Sequence, residues 1–419
     1  MDTGKTYEVK DIKLAEQGRM NVAIAERRMG IMQTLKARFA KEKPFKNLTI
    51  GMALHVTKET AVLVRTLAAG GAKIAITGCN PLSTQDDVAA ALAEEGVSVY
   101  AYKGETREDY YRYLEKVLEA KPDLTIDDGA DLVSQIHTKH KDMIPKLLGG
   151  SEETTTGIIR LRAMERDGAL KYPIIAVNDN KTKHLLDNYY GTGQSTLDGI
   201  LRATNILLAG KKFVVAGYGP CGKGVSMRAR GMGANVVVTE VDAFRGLQAV
   251  LDGFEVMPMK EAAKIGDIFV TVTGDKNVIT LDHIKSMKDS AVLANSGHFD
   301  AEIDMGSLNK EIKKKRVRWQ LDEYDFGGKK IYVCGEGRLV NLAAAEGHPS
   351  EVMATSFAGQ ALAMEFVVKN RGKLKPSVIT LPETLDDEIA KLQLDSMGVK
   401  IDSLTEEQKK YLSSWEEGT

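Results

Sequence analysis

Short apolar runs rich in Val, Ile and Ala alternate with longer segments of helical periodicity along most of the chain. The first clear run is 49–56 (TIGMALHV), followed by a helical stretch over 58–69 that Gly70 and Gly71 stop. A strand over 73–77, a helix opening near Ser83 and closing at Gly96, and a strand over 97–102 continue the pattern. Ser83 reads as the N-cap of that helix, with Asp86 and Asp87 in a first turn where the dipole favours carboxylates. A helix over 108–120 leads to a strand over 123–127, and a further strand covers 174–177. Strands apolar throughout and separated by helices predict a parallel sheet covered on both faces. A glycine- and aromatic-rich segment at 190–193 and a helix over 195–209 then lead into a second series, at 212–216, 235–239, 268–272, 291–294 and 331–334. A helical portion follows over 350–368, and Thr405-Glu406-Glu407-Gln408 is a capping box for a short last helix. The pattern alone does not assign 350–384 to either series.

Length fits this reading: 419 residues predict two or three domains. Apolar residues at 43% and charged residues at 27% are ordinary for a globular chain. With 57 basic and 58 acidic residues, no excess of charge points to nucleic acid, and Lys313-Lys314-Lys315-Arg316 reads as a solvated strip. No apolar stretch reaches the ~18 residues of a membrane span, and the polar start is not a signal peptide. Cys79, Cys221 and Cys334 form no CxxC pair. A disulfide framework or a metal site is therefore not expected, and a reducing cytoplasm is. The 39 glycines, about 9% against a usual ~7%, are a modest excess.

Part of that excess has a chemical address. Gly217-Tyr218-Gly219-Pro220-Cys221-Gly222 stands after one strand and before a helical pattern, and the next strand ends at Glu240. Gly217 permits the tight turn, Gly219 lets the backbone approach a pyrophosphate, and Gly222 lets helix and strand pack closely. Free N–H groups at the helix start face the phosphates. A carboxylate at the end of the second strand takes the ribose hydroxyls of NAD and repels the 2′-phosphate of NADP, although Arg245 keeps NADP open. GxGxxG alone is a weak signal; here strand, loop, helix, strand and acid fall in register. The expected fold class is thus α/β, with Rossmann-like three-layer domains and parallel sheets.

The first series also delivers polar residues where open α/β sheets bind ligands. His55, Thr57 and Glu59 follow its first strand, Asp127-Asp128-Gly129 a later one, and Asn178 another, with Lys183, Asp187 and Asn188 just beyond. Each has a plainer reading. His55 alone suits a core histidine, Asp127-Asp128-Gly129 a turn, Lys183 and Asp187 a surface ion pair, and Ser151-Glu152-Glu153 a helix start. Their shared position at strand ends favours a site. His298 and His348, each beside a glycine, join it only if the two series face each other.

Together these segments resemble S-adenosylhomocysteine hydrolase. The resemblance rests on His55-Val56-Thr57-Lys58-Glu59-Thr60, Cys79-Asn80-Pro81-Leu82-Ser83-Thr84, Asp127-Asp128-Gly129, Ser151-Glu152-Glu153-Thr154-Thr155-Thr156-Gly157, Asn178-Asp179, Lys183, Asp187-Asn188, Gly297-His298-Phe299-Asp300 and Gly347-His348-Pro349-Ser350. It runs from about Ile12 to Leu412. It implies reversible cleavage of S-adenosyl-L-homocysteine, or a close purine analogue such as S-inosyl-L-homocysteine, to nucleoside and L-homocysteine, with NAD oxidising the ribose transiently. The alternatives are an NAD-dependent 2-hydroxyacid-type dehydrogenase and a catalytically idle nucleoside-binding regulator.

The resemblance implies catalytic roles for His55, Asp128, Lys183, Asp187 and His298. Lys183 and Asp187 would serve the 3′-hydroxyl, and lysine suits proton removal there only with a lowered pKa. Thr57, Glu59, Thr60, Glu153, Asn178, Asn188, Leu342, His348, Met353 and Phe357 would hold the substrate. Thr154, Thr155, Thr156, Asn188, Gly217, Gly219, Gly222, Glu240, Arg245, Thr273, Asn295 and Asn341 would hold NAD. Residues 1–185 and 350–385 would form a discontinuous substrate domain, 190–349 the NAD domain and 386–419 a helical tail. A homotetramer is implied. Four features depart from the family pattern: Thr192 stands where many relatives carry cysteine, Arg245 differs, Glu346 differs near the base, and the longer C-terminal tail of many relatives is missing. Easier NAD exchange and a less secure choice of adenine over hypoxanthine are the expectations drawn from them.

Overall fold

The computed structural model describes residues 6–415. Seven strands come first: β1 (Glu8–Val9), β2 (Thr49–Ala53), β3 (Lys73–Thr77), β4 (Ser98–Ala101), β5 (Leu124–Asp127), β6 (Gly149–Glu152) and β7 (Ile174–Ala176). Eight follow: β8 (Lys212–Ala216), β9 (Asn235–Thr239), β10 (Glu255–Val256), β11 (Ile268–Thr271), β12 (Ala291–Asn295), β13 (Lys314–Arg318), β14 (Leu321–Asp325) and β15 (Lys330–Cys334). The last, β16 (Val378–Ile379), returns to the first group. One sheet has the order β1-β4-β3-β2-β5-β6-β7-β16, the other β10-β9-β8-β11-β12-β15-β14-β13. The first is parallel throughout. The second departs from the expected parallel sheet, because β14 pairs antiparallel with both β13 and β15. The basic strip expected to be merely solvated is the largely exposed edge strand β13, where charge discourages further strand pairing.

Continuous apolar strands are buried because helices cover both faces of each sheet. Ile50, Met52 and Ile126 share a core with the helix Ser350–Lys369, whose Phe357, Leu362 and Met364 are buried there. Ala53, Leu114 and Val133 belong to the opposite face. Each such fully buried aliphatic side chain contributes ~1.5–3 kcal/mol. The helix Glu383–Ser396 crosses the boundary expected at 385, with Ile389 in the first core and Asp386 accepting the Lys181 N–H at 2.6 Å. The final helix, Glu406–Ser413, has no buried residue. Among the described residues no helix is long and apolar enough to cross a membrane.

Strand order positions the site. In the first sheet, successive connections leave β2 toward β3 and β4, whereas β5, β6 and β7 lie on its other side. The ends of β2 and β5 therefore flank a crevice, with Ala53 in register with Asp127. The second sheet repeats this between β8 and β11, where Ala216 pairs with Thr271.

Candidate active site

The two crevices open into one cavity of about 880 Å³. From the first come His55, two residues beyond β2, and Asp128, directly after β5. His55 Nε2 lies 3.4 Å from Asp128 Oδ2, and His298 Nδ1, reached from beyond β12, lies 3.4 Å from Asp128 Oδ1. Gly129 makes this meeting possible. At φ +102° it sits where glycine is favoured, and a Cβ there would meet His298 Nε2 at 2.4 Å. Burial pushes His55 down to about 4 although Asp128 opposes the shift, so it is neutral at pH 7. Its Nδ1 contacts the Ser83 hydroxyl at 2.8 Å and Cys79 Sγ at 3.1 Å. The helix expected to start at Ser83 starts at Asp86, with Gln85 at its N-cap position making no side-chain cap; the Ser83 hydroxyl serves His55 instead.

Lys183, Asp187, Asn188 and Glu153 form a second buried group. Lys183 Nζ donates to Asn188 Oδ1 at 2.8 Å and lies 3.7 Å from both Glu153 Oε1 and Asp187 Oδ1. Burial alone would lower Lys183, but Asp187 and Glu153 outweigh it and hold the ammonium above the ordinary lysine value. The lowered pKa that would suit this lysine to proton removal is thus not found: its neighbours are anionic, and it is a donor in this state. Burial pushes Glu153 up to about 7 against the pull of Lys183. Burial works to raise Asp187 too, yet Lys183 and His348 hold it at about 2, with His348 Nδ1 at 2.9 Å. One buried carboxyl titrates near neutrality and its neighbour stays ionised.

The glycine loop after β8 forms the other wall. Gly217 has φ +103°, and a Cβ there would approach Thr273 Cγ2 at 3.0 Å. Gly222 packs tightly, since its Cβ would fall 2.0 Å from the Gly217 carbonyl oxygen. Gly224 serves packing and not a phosphate: its Cβ would strike the Tyr189 carbonyl. Glu240 accepts backbone N–H bonds from Tyr218 at 2.7 Å, Val241 at 2.7 Å and Asp242 at 3.1 Å, which fixes an acceptor at the end of β9. Among the buried atoms of the cavity wall, Thr156 Oγ1 and Asn341 Oδ1 have no hydrogen-bond partner within the protein. A cradle open at Gly219, a fixed carboxylate and two polar atoms awaiting a partner fit a dinucleotide.

The cavity brings together all the expected residues except three. Asn178, Gly222 and Asn295 stand behind its wall. Asn178 bonds Thr155 Oγ1 at 3.0 Å and Asn188 Nδ2 at 3.2 Å, holding two wall residues. Asn295 ties the loop before His298 through the Gly297 N–H at 2.8 Å and the Phe299 carbonyl at 2.9 Å.

Other positioning groups escaped the sequence reading. Glu152 accepts the N–H groups of Gly129, Ala130 and Thr154 at 2.8–3.0 Å, and so sets the loop carrying Asp128. Glu302 does the same for Thr273 and Gly274, at 2.9 and 2.8 Å. Gln360 donates to Glu153 Oε2 at 2.5 Å, and Ser356 also bonds Glu153. No motif signals such buried acids; only their loops' need for backbone acceptors does. His55, Asp128 and His298 each place a ligand atom within 4.8 Å of the others, a spacing that also suits a divalent ion.

Comparison with known proteins agrees with this geometry. Residues 6–141 match the family described as S-adenosyl-L-homocysteine hydrolase. Residues 188–347 match that hydrolase's NAD binding domain. The S-inosyl-L-homocysteine hydrolase of Methanocaldococcus jannaschii is 60% identical over 99% of this chain and 100% of its own. The adenosylhomocysteinase of Aquifex aeolicus is 57% identical over 99% of this chain and 100% of its own, and that of Saccharolobus solfataricus 56% over the same shares. With the NAD-binding loop, the strand-end acids and both matches on one continuous chain, the protein belongs to the S-adenosyl-L-homocysteine hydrolase family.

Proposed function

We propose that this protein reversibly hydrolyses S-adenosyl-L-homocysteine, or its inosine analogue, to the nucleoside and L-homocysteine. The observation that carries the reading is the single cavity in which the NAD-binding loop faces Lys183, Asp187, His55 and Asp128. NAD, when bound, supplies transient oxidation at ribose C3′, which acidifies the C4′ hydrogen and lets the thiol leave C5′. Lys183 polarises the 3′-hydroxyl from its charged state. It takes up that proton once its own has passed to Glu153, the carboxyl able to accept one near neutrality. Asp187, kept ionised, and Asn188 hold Lys183 in place. Neutral His55 and the adjoining Asp128 exchange protons at C4′ and at the leaving sulfur, and His298 closes over them. Water then adds at C5′, where sulfur left, and the ribose is reduced again, so oxidation cancels over a turnover.

Residues 1–185 and 350–385 serve as the substrate domain and 190–349 as the NAD domain, a division supported by the separate sheets and cores. A homotetramer is supported by the exposed Phe244, Leu247 and Leu251 on the helix Ala243–Leu251. Free cysteines support a reducing, cytoplasmic setting. The test is thiol release from both thioethers, with reduced nicotinamide followed in parallel. Thiol without net cofactor reduction is expected; reduced cofactor accumulating in step with product would mean a dehydrogenase.

A further inference from the structure

His348, which follows β15, is held at both ring nitrogens. Nδ1 lies 2.9 Å from Asp187 Oδ1, and Nε2 lies 3.3 Å from Thr192 Oγ1. Both grips come from one short segment. Asp187–Gly191 is a π-helical turn, and the Thr192 N–H that follows it donates to the Asp187 carbonyl, five residues back. An ordinary helical turn closes after about 3.6 residues and would carry the fifth residue round to the side. The wider turn brings it back over the first, so Asp187 and Thr192 share a face. Gly191, just before Thr192, supplies the room. A Cβ there would meet His348 Nδ1 at 2.7 Å and Cγ at 2.8 Å, so the ring lies against bare backbone.

These contacts select one tautomer. A bare Nδ1 would set its lone pair against a carboxylate oxygen, so of the two neutral tautomers the one protonated at Nδ1 fits, and Nε2 is the acceptor. The Thr192 hydroxyl is the donor to it. The hydroxyl oxygen in turn accepts from the Cys221 thiol at 3.6 Å, inside the glycine loop. Thr192 is buried, and it lines the cavity together with His348, Asp187 and Cys221. Asp187 stands 3.7 Å from Lys183, the lysine assigned to the 3′-hydroxyl. We propose that Thr192 is a positioning residue for the reaction: it fixes the His348 ring, so that Asp187 keeps this partner and holds Lys183 at the 3′-hydroxyl. Thr192 acts through His348, not on the reacting atoms. This assignment rests on the hydrolase function and deepens it.

The test is single-turnover formation of reduced nicotinamide in the NAD-loaded full-length enzyme, with whichever of the two thioethers the wild type turns over. The variants are Thr192→Val, Thr192→Ser, Gly191→Ala, His348→Asn and the double variant Thr192→Val with His348→Asn. Thr192→Val keeps the shape without the hydroxyl and should slow the step about 3–10-fold, the range of one neutral hydrogen bond. The half-saturating substrate concentration should stay within about twofold, because the loss falls on the reacting state. Thr192→Ser restores the hydroxyl and should restore the rate. In the His348→Asn background, Thr192→Val should add less than about twofold, since the group it acts through is gone. A merely structural role would slow both backgrounds alike. Gly191→Ala crowds the same ring, should also slow the step, and covers the case in which Thr192→Val fails to fold. The proposal is overturned if Thr192→Val or Gly191→Ala leaves the rate unchanged, if serine does not restore it, or if valine has the same effect in both backgrounds. Reduced nicotinamide from neither thioether in the wild type would instead refute the hydrolase reading, and this proposal with it.

Discussion

Replacing Lys183 by alanine tests the proton step most directly. The side chain is buried, with one hydrogen bond to Asn188 at 2.8 Å and two carboxylates at 3.7 Å. Its loss removes the group that polarises the 3′-hydroxyl, and a positioned acid–base group contributes about 10²–10⁴-fold to such a step. That corresponds to roughly 3–5 kcal/mol of barrier at 1.36 kcal/mol per tenfold. The folding cost should be smaller than the ~3–5 kcal/mol of a broken buried ion pair. Glu153, already raised to about 7, would lose its cation and become neutral, while Asp187 keeps His348 at 2.9 Å. The lysine's hydrogen bond goes to Asn188 and not to the Gly217–Gly222 loop that would hold the pyrophosphate, so NAD should remain bound. The assay is single-turnover mixing with substrate, following absorbance of the reduced nicotinamide, with NAD content measured on the same sample. Cofactor reduction about 10²-fold slower or more, with NAD retained, is expected. A reduction rate unchanged by the substitution would refute the assignment of Lys183.

Three further outcomes follow from the same geometry. Gly129→Ala places a Cβ 2.4 Å from His298 Nε2 at a φ of +102°; the backbone strain should cost roughly 1–2 kcal/mol in thermal unfolding, while displacement of His298 should lower kcat by a larger factor. Equal loss of stability and activity would argue that the contact has no role in closure. His55, lowered from 6.5 to about 4, binds its proton more readily in the unfolded chain, so its stabilisation is complete above pH 6.5 and is lost as pH falls toward 4. His55→Gln should flatten the acid side of the stability curve by on the order of 3 kcal/mol, measured by denaturant unfolding at each pH; an unaltered slope would contradict the burial argument. Glu240→Ala removes an acceptor of three backbone N–H bonds. It should weaken NAD about 10–100-fold in a fluorescence titration and NADP less, and an unchanged NAD-to-NADP ratio would show that Glu240 does not face the ribose.

The elements read most clearly from the chain were those whose burial depends on side-chain hydrophobicity. β8, β9 and β3 lie where their Val and Ile runs predicted. β6 was not seen, although it is central in the first sheet, because its residues are Gly149, Gly150, Ser151 and Glu152. Its small residues are required by close packing: a Cβ on Gly150 would fall 2.2 Å from Thr125 Oγ1, and one on Gly149 2.8 Å from Val367 Cγ1. A strand selected for thinness leaves no hydropathy signal. Ser151, which reads locally as a helix cap, instead donates to Gln360 from that strand. The site residues were legible where strand ends and glycine spacing marked them. The ionisation state of Lys183 was not, because it depends on Glu153 and Asp187 approaching to 3.7 Å, a tertiary fact.

The near-balance of acid and base along the chain conceals how the charges are arranged across the cleft. Acid–base pairs join the two walls: His298 with Asp128, His348 with Asp187, and Glu346 with Lys58. In water such pairs are worth little, ~0–1 kcal/mol each. The two histidine–aspartate contacts are largely buried, where the lower dielectric strengthens them and makes their unpaired forms costly. Closure and ionisation are therefore coupled. Asp187 is held near 2 by Lys183 and by His348, a residue from the opposite wall, so opening the cleft removes one of its two partners. The same opening takes His298 from Asp128 and exposes His55, whose neutrality rests on burial. The proton-handling groups thus have their working charge states only when both walls meet. On the proposed mechanism, that arrangement confines acidification of C4′ to the state in which both walls meet, before the thiol has left.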